Sequence, residues 1–212
     1  MTHTLHRTFP LKKETEEFVF LSMAAQGYNS DDSVESLKEV FRIFRKYPHM
    51  NLADDNRGGI FTGVTCEEIL EKANQKAYMG AVFTDRGAVR EVLKELKAKN
   101  LEMSVVVTGN IKAVFELLEE VDLVPHTVNL SLGIHGKKEL LETEVVRAIT
   151  SMCGHGMISP SSVRAHIREI QEGLTTPKEA SLDLAKGCTC GIFNPKRAQE
   201  VFEAIWEGEM LP

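Results

Sequence analysis

The sequence predicts an α/β fold: an open, mainly parallel sheet of about four strands with flanking helices, followed by an all-helical C-terminal segment. Three observations predict it. From Thr65 onward, short apolar runs alternate with stretches of helical period. Strands separated by single helices need crossover connections, which favour parallel neighbours. After Cys153, three stretches open on Ser159-Pro160, Thr176-Pro177 and Asn194-Pro195, each a capping residue followed by proline in the first helical turn. The predicted division is therefore a sheet domain over residues 1–152 and a helical segment over residues 153–212, packed on the sheet domain.

Each element has its own warrant. Phe18 to Met23 is aromatic and apolar, as a buried strand requires. Asp31 to Ser33 cap a helix whose stripe is Val34, Leu37, Val40, Phe41 and Phe44, ending at Tyr47-Pro48. The turn-rich stretch from Asn51 to Ile60 reads as a surface loop, with a flap over a site as the other reading. Thr65 and Glu68 open a helix that runs to about Lys76, and the strand Gly80 to Thr84 follows it. Asp85 caps a helix that turns Val89, Val92, Leu93 and Leu96 inward, and Met103 to Thr108 is the next strand. Asn110 opens a helix that buries Ile111, Val114, Phe115 and Leu118. Thr127 to Ile134 alternates apolar Val128, Leu130 and Leu132 with polar Asn129 and Ser131, so it is predicted as a strand at an edge or beside a polar site. A long helix from about Lys138 to Met152, with Leu141, Val145, Val146 and Ile149 inward, then delivers the chain to Cys153. The capping box Thr176 to Glu179 and the stop at Gly187 bound the helix before Cys188.

Composition narrows the function classes. With 212 residues, 42% hydrophobic and 26% charged, the chain suits one globular domain with a sizeable core and a small appendage. A formal charge of −6 with no basic run argues against nucleic acid as a partner, and no apolar run is long enough for a membrane span. The polar start, MTHTLHRTFPLKKETEE, lacks the apolar core of a signal peptide, so a cytoplasmic location is expected. Four cysteines in a reducing compartment are then not structural disulfides, and Cys66, in the first turn of a helix, reads as a buried thiol. The sequence leaves homo-oligomer formation open.

In open parallel sheets, ligands bind beyond the carboxyl ends of the strands. That position selects Gln26 to Asn29, Thr84-Asp85-Arg86, Thr108 with Asn110, and His135 with Lys137 as the expected lining for a small anionic ligand. Asp85 and Asn110 are equally good helix caps, and the glycines among these runs equally good turn residues. His135, between Gly133 and Gly136, could orient or protonate the ligand.

Cys153, Cys188 and Cys190 sit in glycine-rich connections between helices, where thiols far apart in sequence can converge. Three thiolates suit zinc or an iron–sulfur cluster, with His155 or an outside ligand in the remaining position. On that reading the chain is an enzyme of metal-assisted lyase, hydrolase or isomerase type, with the metal acting as a Lewis acid and His155 or His135 moving a proton. Two other readings stand beside it. Met152-Cys-Gly-His-Gly156 resembles the Met-Cys-Gly-His-Gly run of the proline racemase family. The resemblance covers about five residues and implies Cys153 as a metal-free acid/base, with the following amides binding a carboxylate. The rest of the chain departs from that family: it is shorter, its βα alternation differs, and no second catalytic cysteine stands in matching context. Cys188 and Cys190 could also form a redox pair, whose small strained ring would be easily reduced. The remaining class is a non-catalytic small-molecule-binding domain with space-filling thiols.

Overall fold

A computed structural model describes residues 16–206, which form two compact units. One comprises residues 16–126 together with Cys188–Phe193; the other comprises Thr127–Gly187 and the described residues from Asn194 onward. The polar start of the chain, with His3 and His6, lies outside the described residues.

The first unit runs β1 (Phe18–Met23), α1 (Ser33–Lys46), β2 (Asn51–Asp54), β3 (Gly58–Gly59), α2 (Cys66–Lys72), β4 (Met79–Phe83), α3 (Arg86–Lys99), β5 (Ser104–Thr108) and α4 (Ile111–Glu120). Its five-stranded sheet has the order β3-β2-β4-β1-β5, and every pair of hydrogen-bonded neighbours is antiparallel.

This overturns the mainly parallel sheet expected from the alternation of helix and strand. The reason is topological. A helix between two strands does make them run the same way, as β1 and β2 do across α1 and as β4 and β5 do across α3. Neither pair is adjacent, however: β4 lies between β1 and β2, and β1 between β4 and β5. Two interleaved β-α-β units of this split type are antiparallel at every ladder. Alternation fixes strand direction and leaves adjacency open.

Two segments changed the strand count. Asn51 to Ile60 is not a surface loop: Asn51–Asp54 is a fully buried strand, and a turn returns the chain into β3. Thr127 to Ile134 is the reverse case, with strand-like alternation but no strand. Val128, Leu130, Leu132 and Ile134 are exposed, the Gly133 N–H donates to Ser131 Oγ, and the His135 ring bonds the Leu132 carbonyl at 2.7 Å. These local side-chain bonds compete with any ladder, and the run stays irregular. The predicted 138–152 helix is likewise divided into a 3₁₀ turn at Lys138–Leu140 and a helix from Glu144, because Leu141 is extended.

The sheet's period of two sorts its side chains. Phe18, Phe20, Leu52, Met79, Ala81 and Phe83 share one core with Leu37, Val40, Phe41 and Phe44 of α1, Ile69 of α2, Val89 and Val92 of α3, and Leu117 of α4. Phe20, Phe44 and Phe83 meet edge to face, with centroids 5.4 to 6.2 Å apart. Asn51, Ala53 and Gly80 have the opposite parity, and over them runs Cys188–Phe193. A Cβ on Gly80 would lie 2.3 Å from the Cys190 carbonyl oxygen, and one on Gly191 would lie 2.5 Å from Ala53 Cβ. The Asn51 amide donates to the Phe193 carbonyl at 2.9 Å in a buried contact.

Asp54 closes β2 on the helix-covered side. Its Oδ1 accepts the N–H groups of Asn56 at 3.1 Å and Tyr78 at 3.4 Å, whereas Oδ2 is buried without a hydrogen-bond partner. Burial pushes this carboxyl above the usual carboxylate range, against the pull of the two N–H groups. An acid whose folded-state pKa is raised holds its proton more tightly in the folded chain. Its contribution to stability therefore falls as pH rises from the unfolded value through the folded one. Asp54→Asn, which keeps the Oδ1 acceptor without the charge, is expected to gain stability relative to the parent as pH goes from acidic to neutral. Urea midpoints of both proteins at the two pH values measure this, and equal shifts would refute it.

The second unit is helical: α5 (Glu144–Thr150), α6 (Pro160–Gln171), α7 (Pro177–Ala185) and α8 (Pro195–Trp206). Ser159 caps α6 and Thr176 with Glu179 forms a capping box on α7, each followed by the anticipated proline. The four helices pack through Val145, Ile149, Val163, Ile167, Leu184, Val201 and Phe202, among others. The His166 ring bridges Glu169 at 2.8 Å and Asp183 at 3.2 Å, tying α6 to α7. Among the described residues no helix is long and apolar enough to cross a membrane.

Candidate functional site

The Cys188–Phe193 segment returns from the helical unit's sequence to complete the sheet unit. Its path is set by three local devices. Gly191, at φ +67°, makes the turn after Cys190 in a conformation that L side chains rarely adopt. The absence of a side chain at Gly191 and Gly80 lets the segment lie directly on β2 and β4. The Asn51 amide then fixes its far end at Phe193.

This path brings Cys188 Sγ and Cys190 Sγ to 3.7 Å, both buried and unbridged. That is far beyond the S–S bond length of about 2.05 Å. It matches the edge of about 3.8 Å that two thiolates at roughly 2.3 Å span on a tetrahedral zinc ion. The Phe193 N–H donates to Cys188 Sγ at 3.3 Å. One carboxylate oxygen of Asp55 lies within 4.8 Å of Cys190 Sγ, and Asp55 is half-buried. Asp55 follows β2 in the parity of Asn51 and Ala53, the face over which the cysteine segment runs, and its N–H bonds the Tyr78 carbonyl at 3.1 Å.

The other anticipated residues are placed as follows. Cys153 is buried just after α5, and His155 is exposed in the turn that follows; both belong to the helical unit. Asp85 accepts the Ala88 N–H at 2.6 Å and caps α3, and Asn110 accepts the N–H groups of Lys112 and Ala113 and caps α4. Arg86 is paired with Glu120 at 2.9 Å, Glu116 at 3.2 Å and Glu16 at 3.5 Å. Thr84 follows β4 and Thr108 ends β5 on one side of the sheet, whereas the loop after β1 leaves from the opposite side. The antiparallel sheet thus has no single carboxyl edge. His135 and Lys137 are exposed in the irregular stretch before α5 and follow no strand. Cys66 is half-buried, and burial pushes its thiol up.

Asp55 and Asn51 escaped the sequence reading because both lie in the stretch taken for a loop. No period-two signal marked it: in Asn51-Leu52-Ala53-Asp54-Asp55 the two apolar residues stand side by side, ahead of a glycine pair. No family model, curated protein or solved structure matches the chain.

Proposed function

We propose that this protein binds a divalent metal ion, zinc foremost, through the thiolates of Cys188 and Cys190. The single observation that carries the reading is the 3.7 Å separation of the two buried sulfurs, a spacing suited to a shared ion. Further support comes from the amide donor on Cys188, since such second-layer bonds orient and stabilise thiolate ligands. A zinc ion held there with an exchangeable position would act as a Lewis acid toward a hydroxyl or carboxyl group of a small anionic molecule.

The test is zinc titration of reduced protein in competition with a chromophoric chelator, with elemental analysis of the protein as purified. One equivalent per chain is expected, and the Cys188→Ser, Cys190→Ser double variant should lose it while keeping its helical circular dichroism. Because the folded chain holds the pair at coordinating distance, zinc at about 100 times Kd should stabilise the parent by up to about 2.7 kcal/mol, less whatever the unfolded Cys-x-Cys run binds, and leave the double variant unmoved. A parent protein that takes up no zinc or cobalt in reducing buffer would refute the reading.

A further inference from the structure

We propose that Asp55 is the third protein ligand of this site, giving a mixed set of two sulfurs and one oxygen; the inference rests on the thiolate reading above. Three observations point to it. Strand parity directs Asp55 to the face on which the cysteines lie, and the Tyr78 carbonyl fixes its backbone. Its carboxylate oxygen stands within 4.8 Å of Cys190 Sγ, against an edge of about 3.5 Å between a sulfur and an oxygen on one zinc ion. Its carboxylate has no hydrogen bond or ion pair with the described residues, and Arg57, two residues on, bonds the Lys72 carbonyl instead.

Charge supplies the rest of the argument. A half-buried carboxylate beside the Cys190 sulfur is a repulsive arrangement in a medium of reduced dielectric once that thiol is ionised, unless a cation joins them. A divalent ion turns the same three groups into a neutralising-plus-one shell, with one surplus negative charge. The donor set also selects among metals. Thiolate pairs alone favour soft Cu(I), and a cubane cluster takes at least three cysteines; replacing one soft donor by a carboxylate favours zinc or a similar borderline divalent ion.

Asp55→Asn is expected to weaken zinc binding at least 10–100-fold, since even partners outside the coordination shell are worth about that much. In the cobalt-substituted protein the sulfur-to-cobalt charge-transfer bands should persist at two-thiolate intensity while the d–d bands shift, reporting a changed oxygen donor. Asp55→His, which supplies a nitrogen ligand, should recover most of the affinity. An Asp55→Asn protein with parental affinity and an unchanged d–d spectrum would overturn the assignment and leave the thiolate pair standing. A loss of affinity matched by an equal loss of metal-free stability, with the spectrum of the bound fraction unchanged, would overturn it too. Failure of the parent to bind cobalt or zinc at all would remove the thiolate reading and this one together.

Discussion

Gly191→Ala is expected to destabilise the protein by several kcal/mol and to weaken zinc binding at the cysteine pair about as much as loss of Asp55 does. Two costs combine. At φ +67° any L side chain is strained, by about 1–2 kcal/mol. The added methyl would also lie 2.5 Å from Ala53 Cβ and 2.7 Å from the Ala53 nitrogen, both in a buried strand whose backbone cannot yield without breaking its ladders. Overpacking of that kind costs roughly another 1–3 kcal/mol. The segment would relieve the clash by lifting from the sheet, which separates Cys190 from Asp55. Gly63 provides the control: its φ is +85°, and nothing lies within 4 Å of where its Cβ would be. Gly63→Ala should show the dihedral cost alone and keep zinc affinity. Urea denaturation and zinc competition on both variants decide it, and equal losses would mean that the close approach to Ala53 does not matter.

Phe44→Ala should cost about 3–5 kcal/mol, a large part of the roughly 5–15 kcal/mol that holds a typical domain together. Phe44 is fully buried and sits edge to face with Phe20 at 5.5 Å and Phe83 at 6.2 Å, so its ring joins α1 to both central strands. The rings on either side belong to β1 and β4, whose ladders prevent them from collapsing into the space left behind. The transfer and cavity penalties therefore both apply. Phe44→Leu, which retains most of the volume, should lose distinctly less. Equilibrium urea unfolding followed by circular dichroism measures the difference, and a loss under about 1 kcal/mol for Phe44→Ala would contradict this account of the core.

Where a side-chain cap forms, helix beginnings were legible in the sequence because capping chemistry is local; Asp32 before α1 makes no capping bond, and the start of α5 at Glu144 was not legible this way. The box at Thr65 and Glu68, the caps at Asp85, Asn110 and Ser159, and the box at Thr176 and Glu179 all form the bonds their residue types foretell. Strand adjacency was not legible. Which strand lies beside β1 depends on contacts between Phe18–Met23 and residues some 60 or more positions away, and nothing in either run encodes its neighbour. The same limit hid Asp55. A lone carboxylate in a run of Asp, Asn, Arg and Gly looks like turn chemistry until the sheet sets it beside a cysteine far along the chain. Cys188 and Cys190 were visible as a pair because two residues of separation is itself a local property.

The sheet unit is discontinuous in sequence: its five strands are complete by residue 126, but the strip that covers Ala53 and Gly80 consists of Cys188–Phe193. A ribosome adding roughly 5–20 residues per second needs several seconds to go from one to the other. Throughout that interval a nascent chain has its five strands without the strip that lies on Ala53 and Gly80, and the two thiols that would hold the ion have not yet been synthesised. Completion of the sheet unit is thus set by the emergence of six residues from the exit tunnel.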